Sequence, residues 1–319
     1  MKMRQLIATA LLCTLGITGY AQNLKSKRND KGKYGFIDRT GKEVVPFTYD
    51  EVGYSFKEGI INVKLNGKHG FIDESGKVVI PLIYEDSRSF EEGLIAVKQN
   101  GKFGFIDKTG KVIIPFKYDN ATYFKEGFGK VELNGKEGYI DKTGKEITAI
   151  KYDVAFDFYG GFAWVRLNDK YGFVDPAGKE ITALKYEGVN SFKDGFAGVK
   201  LKDKWAFIDK TGKEITKFKY DYVKDFSDGV APVERNKVYG AIDKNGNEII
   251  PFKYRFISDF EGGLAKAGLN GKEGFISKTG EEVIPIKYDA VGEFKNGAAI
   301  FRLNGRWGSM DKTGKEITQ

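Results

Sequence analysis

His69 is the only histidine in the chain, so any acid–base or metal chemistry has to be sought around it first. It has few partners to work with. The single cysteine, Cys13, lies in an apolar run near the start, which leaves no thiolate downstream for a nucleophile, a disulfide or a zinc site. Aspartates are plentiful but recur at one position, as at Asp38, Asp73, Asp107, Asp141 and Asp311, with Ser277 in one copy. An Asp that opens a tight turn bonds the backbone two residues on. Apart from Glu74 no copy of the turn adds a second acid, so the turn reading is preferred to repeated calcium sites. Neither a phosphate-binding glycine loop nor a Gly-x-Ser-x-Gly elbow follows the apolar run. The expectation is a protein that is not an enzyme and carries no metal and no cofactor. The competing class is an enzyme or inhibitor whose site gathers residues that break the pattern, such as His69, Arg255 or Arg302.

Two sets of residues could instead make contacts. One position holds Tyr34, His69, Phe103, Glu137, Tyr171, Trp205, Tyr239, Glu273 and Trp307 in turn, aromatic or His in seven of nine copies. Equivalent positions in a repeat array line up, and such rings could stack on sugars or an extended peptide. The alternative is that each ring packs on the next unit. The second candidate is Trp164, whose equivalents are Asn62, Ala96, Lys130, Gly198, Pro232, Lys266 and Ile300, a mixture that suggests exposure. The expected binding residues are therefore Tyr34, Trp164, Tyr171, Trp205 and Trp307.

The elements that would position them follow from a repeat. The marker Gly35-Phe36-Ile37-Asp38 returns at Gly70, after 35 residues, and then every 34 residues to Gly308, nine copies in all. Such a period means small supersecondary units that bury apolar faces on one another. In the unit from Gly93 to Gly127, Leu94–Lys98 reads as a strand, Asn100-Gly101 as a two-residue hairpin turn and Lys102–Asp107 as a second strand. Asp107-Lys108-Thr109-Gly110 reads as a type I turn closed by a left-handed glycine, which would explain a glycine there in every copy. Lys111–Ile114 is a third strand, expected to end at Pro115 or to lie at an edge. A return segment follows with two fixed aromatics, Tyr118 and Phe124 in this copy, expected to pin it to the sheet. The second strand is apolar on both faces, so the unit should be stable only when stacked.

The runs Lys204-Trp205-Ala206-Phe207-Ile208-Asp209, Arg306-Trp307-Gly308 and Lys33-Tyr34-Gly35-Phe36-Ile37-Asp38 resemble the bacterial WG-containing repeats, over essentially the whole chain after the leader. The departure is at the tryptophan, replaced in most copies. The resemblance implies a β-rich repeat and no common activity. The expected fold is an all-β tandem array of nine three-stranded antiparallel units, an open curved or superhelical solenoid, with a closed propeller-like ring as alternative. Four-stranded blades of about 40 residues or more are usual in propellers.

Residues 1–21 read as a secretory signal peptide, with Lys2 and Arg4, an apolar stretch and Gly19-Tyr20-Ala21 before Gln22. Residues 22–319 would then be the array, exported to the periplasm or secreted. No second apolar run is long enough to span a bilayer. The net charge of +8 is modest and interleaved, which argues against nucleic acid as partner. The function expected is a non-catalytic binding or scaffold module at the cell envelope. Its partner would be an unknown protein or an envelope polysaccharide.

Overall fold

The computed structural model describes residues 24–317, so the expected leader with Cys13, and Thr318, lie outside the described residues. Their regular structure is entirely β, in antiparallel sheets of three or four strands, as the repeat implied. No helix among them is long and apolar enough to cross a membrane. The described residues divide into two compact units, one ending at Ser87 and the other beginning at Arg88. The first contains one sheet of Lys25–Arg28, Tyr34–Ile37 and Glu43–Tyr49, and one of Glu51–Val52, Ile60–Leu65, Lys68–Asp73 and Val78–Tyr84. The second continues the pattern.

Tyr222–Val223, Val230–Arg235, Val238–Asp243 and Glu248–Tyr254 form one complete sheet in that spatial order. The return segment, expected as a pinned crossing, thus contributes a short strand of its own. Tyr222 pairs with Glu234 and Val223 with Val233, which places this strand beside the first strand of the next sheet. In every sheet but the first, where residues 29–33 make the connection, two-residue hairpins join the first and second strands with both residues at positive φ, 51° and 76° at Asn100-Gly101. The second hairpin closes as expected. Gly110 has φ 85°, and Asp107 Oδ1 accepts from Thr109 N at 2.8 Å, Thr109 Oγ1 at 2.6 Å and Lys111 N at 3.1 Å.

Of the two expectations for the third strand at its proline, the edge position is the one the structure shows. The strand runs through Pro115 to Tyr118, at the edge of its sheet. Phe103 pairs with Tyr118 and Phe105 with Ile114, so Pro115, Phe116 and Lys117 together oppose Gly104 alone. A bulge on an edge strand is where a residue without an N–H is tolerated. The bulge also explains the signature glycine. A Cβ on Gly104 would lie 2.7 Å from Ile114 O and 2.9 Å from Phe116 N.

Three central units use another solution. Thr148, Thr182 and Thr216 replace the buried isoleucine of this strand, and no proline follows them. Their hydroxyls accept the backbone N–H groups of Tyr139, Phe173 and Phe207 at 3.1, 3.1 and 2.9 Å. The third segment there is reduced to isolated bridges, such as Glu137 with Tyr152 and Ile140 with Glu146. The last unit has the same form: its third segment, expected as a strand, is a single bridge between Met310 and Glu316.

The cores lie between successive sheets. Phe105, Ile114 and Tyr118 of one sheet pack with Ala121, Phe124 and Val131 of the next. The second-strand aromatic meets the return-segment phenylalanine at nearly the same distance each time: 5.0 Å for Phe105–Phe124, 4.9 Å for Phe173–Phe192 and 4.9 Å for Phe207–Phe226. Each fully buried ring contributes about 2–3 kcal/mol. Polar contacts set the same spacing. The Glu92 carboxylate accepts the N–H of Gly127 at 3.0 Å, Glu126 those of Gly160 and Gly161 at 3.2 and 3.1 Å, and Asp228 that of Gly263 at 2.8 Å.

Candidate functional site

The sheets repeat their cores but not one pair of neighbouring positions. These are the residue just after the return strand and a residue within the first strand, joined through the main chain. The N–H of Phe156 reaches Trp164 O at 3.1 Å, that of Asn190 reaches Gly198 O at 2.9 Å, and that of Ser258 reaches Lys266 O at 2.8 Å. Because the main chain alone makes this bond, the side chains are free to differ. Within the first strand Ala163 and Val165 are buried, so the period of two turns Trp164 to the opposite face.

In one sheet this pair is aromatic. Phe156 stacks on Trp164 with ring centroids 3.5 Å apart and planes 22° apart, and Tyr171 meets Trp164 at 5.5 Å. Phe156, Trp164, Tyr123 and Tyr159 line a cleft of about 510 Å³. Phe156 is 46% exposed and Tyr159 55% exposed. Thr122, Lys125, Asp157 and Ser191 supply polar groups to the same cleft. The Lys125 ammonium lies 6.0 Å from the Tyr159 ring, and Lys130, also in the lining, pairs with Glu137 at 3.7 Å.

Two further clefts continue the line. Ser191 also lines a cleft of about 510 Å³ with Asn190, Tyr222, Lys224, Asp225 and Asp259. Asp259 in turn lines a third, of about 220 Å³, with Ser258, Lys266 and Glu293. Two ion pairs lie in them: Lys224 with Asp259 at 3.3 Å and Lys266 with Glu293 at 3.8 Å. Burial pushes the Asp225 carboxyl above the usual carboxylate value; Lys193 opposes this and the charge of Asp259 adds to it. Asn190 Nδ2 lies 3.4 Å from Asp225 Oδ1.

The signature position is not one exposed ladder. Phe103 is buried, Tyr34, Tyr171, Trp205 and Tyr239 are half-buried, and Trp307 is 66% exposed. Trp205 packs on the core formed by Phe207, Tyr220 and Phe226, and Tyr171 packs on the one containing Phe173. Cations stand over several of these rings: Arg28 at 5.7 Å from Tyr34 and Arg302 at 5.8 Å from Trp307. Where the position is acidic it has another task. Glu137 Oε2 accepts the N–H of Ala155 at 2.6 Å, and Glu273 Oε2 that of Val291 at 3.1 Å, so the carboxylate fastens the next return strand. Of the expected binding residues, Trp164 and Tyr171 are brought together, whereas Tyr34, Trp205 and Trp307 stand in other sheets; Trp164, expected to be exposed, is half-buried because its ring also packs on the core containing Phe173.

The pattern-breaking residues each have neighbours of their own. His69 Nδ1 lies 3.3 Å from Asn62 Oδ1 and 3.5 Å from Ser87 Oγ. The Asn62 amide donates to Ser87 Oγ at 2.7 Å and to Gly70 O at 3.2 Å, which turns its oxygen toward the ring. Arg255 pairs with Glu273 at 3.7 Å and lies over Phe256.

Sequence reasoning found Trp164 but missed Tyr123, Phe156 and Tyr159. Their signal was present: Phe156 stands where other copies have Thr122, Asn190, Lys224 or Ser258, and Tyr159 where they have Lys125, Lys193 or Glu261.

Comparison with the curated proteins finds no match. Among solved structures the chain is similar to a eukaryotic initiation factor, at 10% identity and TM-score 0.39, over 93% of this chain and 95% of that one. It is also similar to the extracellular domain of the putative hybrid two-component system BT3049 of B. thetaiotaomicron, at 10% identity and TM-score 0.29, over 93% and 58%. A third is PorZ, a surface component of the type IX secretion system of Porphyromonas gingivalis, at 10% identity and TM-score 0.28, over 90% and 52%. The chain thus spans little more than half the length of the last two. The model of the WG containing repeat matches eight times, at residues 34–68, 70–103, 103–136, 138–171, 171–205, 205–239, 239–272 and 274–307. With these matches reaching from the first sheet to the last, the chain belongs to the WG containing repeat family.

Proposed function

We propose that this protein is an exported, non-catalytic binding module of the cell envelope, and that the aromatic cleft around Trp164 is its principal contact. The observation that carries the reading is the exposure of Phe156, Tyr159 and Tyr123 in one cleft beside Trp164, at positions that are polar or glycine in other copies. Exposed rings forgo the burial that stabilises the rest of the array, and clustered ones mark contact surfaces. Export rests on the charged, apolar and small-residue order of residues 1–21.

The test compares three variants for retention on envelope fractions, with melting measured alongside. Tyr159→Ala and Trp164→Ala should each reduce retention at least tenfold, Tyr159→Ala with little change in melting. Trp205→Ala should lower melting and leave retention intact. Unchanged retention in both cleft variants would remove the cleft from the function.

The enzyme alternative has one observation in its favour. Asp225 and Asp259 share a cleft, and burial raises the Asp225 carboxyl above its ordinary value, a setting that suits a general acid in hydrolysis. Envelope-glycan hydrolysis abolished by Asp225→Ala would establish it over the binding reading.

A further inference from the structure

The chemistry of the clefts narrows the ligand, an inference that rests on the binding reading above. From the three joined clefts we infer that the protein binds an uncharged oligosaccharide longer than one cleft, anchored by stacking of a sugar ring in the Trp164 cleft. Three features argue for it.

The first is the pairing of flat apolar faces with hydroxyl and amide groups. A pyranose presents C–H groups on its faces and hydroxyls around its rim. Tyr123, Phe156, Tyr159 and Trp164 offer faces for the former, and Thr122 and Ser191 lie in the same lining for the latter. A purely apolar ligand would leave those groups unpaired, at a cost.

The second is charge. A cationic ligand held by rings alone would meet Lys125 and Lys130 in the aromatic cleft, and an anionic polymer would meet Asp225, Asp259 and Glu293 further along. Lys130, Lys224 and Lys266 are each already paired with a carboxylate. Paired charges offer hydrogen bonds to hydroxyls without selecting a ligand of either sign.

The third is continuity. Ser191 belongs to the first and second clefts and Asp259 to the second and third, so one extended chain can pass from ring to ring without leaving the protein. Beyond the aromatic anchor the lining turns polar, with Asn190, Lys224 and Ser258. The anchor should therefore carry most of the affinity, and the other clefts add to it only for longer ligands.

The experiment uses the full chain and a panel of neutral hexasaccharides and their disaccharides from cellulose, xylan, chitin and starch, with oligogalacturonate and an aromatic-rich peptide as comparisons. Binding is read by calorimetry and by tryptophan fluorescence in a Trp205→Phe, Trp307→Phe background, which leaves Trp164 as the reporter. At least one neutral hexasaccharide should quench Trp164 and bind ten times or more tighter than its disaccharide. Tyr159→Ala should weaken both lengths at least tenfold. Asn190→Ala should reduce the advantage of the hexasaccharide and spare the disaccharide. Preference for oligogalacturonate or the peptide over every neutral sugar would overturn the inference.

Envelope retention separates this failure from failure of the binding reading. Retention that depends on Tyr159, survives periodate oxidation of the fraction and is lost to protease would keep the cleft and discard the glycan. Retention indifferent to Tyr159 would discard both.

Discussion

Gly104→Ala tests why the repeat needs its signature glycine. The new Cβ would stand 2.7 Å from Ile114 O and 2.9 Å from Phe116 N, both atoms of the bulged third strand. Optimal separations are about 3.5–4.0 Å, so the strand must retreat by roughly half an ångström or more. That motion strains the pairing of Phe103 with Tyr118 and of Phe105 with Ile114. Forcing a methyl into a packed site costs about 1–3 kcal/mol, while alanine in a strand is favoured over glycine by about 0.5–1 kcal/mol. The net expectation is a loss of about 1–2 kcal/mol.

Gly172→Ala is the control. Its nearest neighbour is Leu184 Cδ2 at 2.7 Å, a side-chain methyl that can rotate away; Thr182 Oγ1 at 3.1 Å and the Ala183 carbonyl at 3.3 Å need shift by only a few tenths of an ångström. The chain already carries this change at Ala206, fully buried in a unit where Thr216 replaces the isoleucine. Gly172→Ala should be neutral or slightly stabilising. Urea midpoints on the full chain, supported by melting at roughly 2–4 °C per kcal/mol, read the difference. Adding Ile114→Thr and Pro115→Ala to Gly104→Ala should recover part of its loss. Equal losses at Gly104 and Gly172 would refute the account.

Four further outcomes follow from local geometry. Tyr254 Oη is buried and has no hydrogen-bond partner among the described residues, so Tyr254→Phe should leave melting unchanged or raise it; Tyr152→Phe loses the 3.0 Å bond to Glu180 and should cost about 1 kcal/mol. Glu137→Ala strips the buried amide of Ala155 of its acceptor and should cost about 1–3 kcal/mol, whereas Glu137→Gln should retain most of the stability. The Lys102 ammonium, and then the Asn134 N–H, hold the Asp119 carboxyl below its ordinary value of 3.8, so its contribution is present above that pH and lost as pH falls through the folded value; Asp119→Asn should flatten the acid limb of melting against pH. For Asp225 the sign reverses: its raised value costs stability when ionised, so Asp225→Asn should raise melting at pH 7, and the gain should shrink toward pH 4 in paired melts.

The turns and the stacking were legible because each is fixed by one or two residues. Asn100-Gly101 and Asp107 to Gly110 announce hairpins through backbone chemistry that few other residues satisfy. The doubly apolar second strand likewise announced neighbours on both faces. The bulge at Pro115 was not legible, since the register that sets three residues against Gly104 depends on where Tyr118 finds its place in the core. The return strand at Tyr222–Val223 was too short for alternation to register. The aromatic cleft was half legible. Trp164 stood out alone, but Phe156 and Tyr159 come beside it through a main-chain pairing and a turn, neither of which marks side-chain proximity in the sequence.

The carboxylate contacts from Glu92 to Gly127, from Glu126 to Gly160 and Gly161, and from Asp228 to Gly263 span 34 or 35 residues and join equivalent turns of neighbouring sheets. A junction written the same way at several borders can join any copies that carry its acid. Misaligned recombination between such copies would delete or duplicate a whole sheet and still leave acid facing amide at the new seam. Gene length would then change in steps of one repeat, each step giving a chain whose borders fit at once. Copy number is thereby a heritable variable that selection can adjust without first repairing the fold.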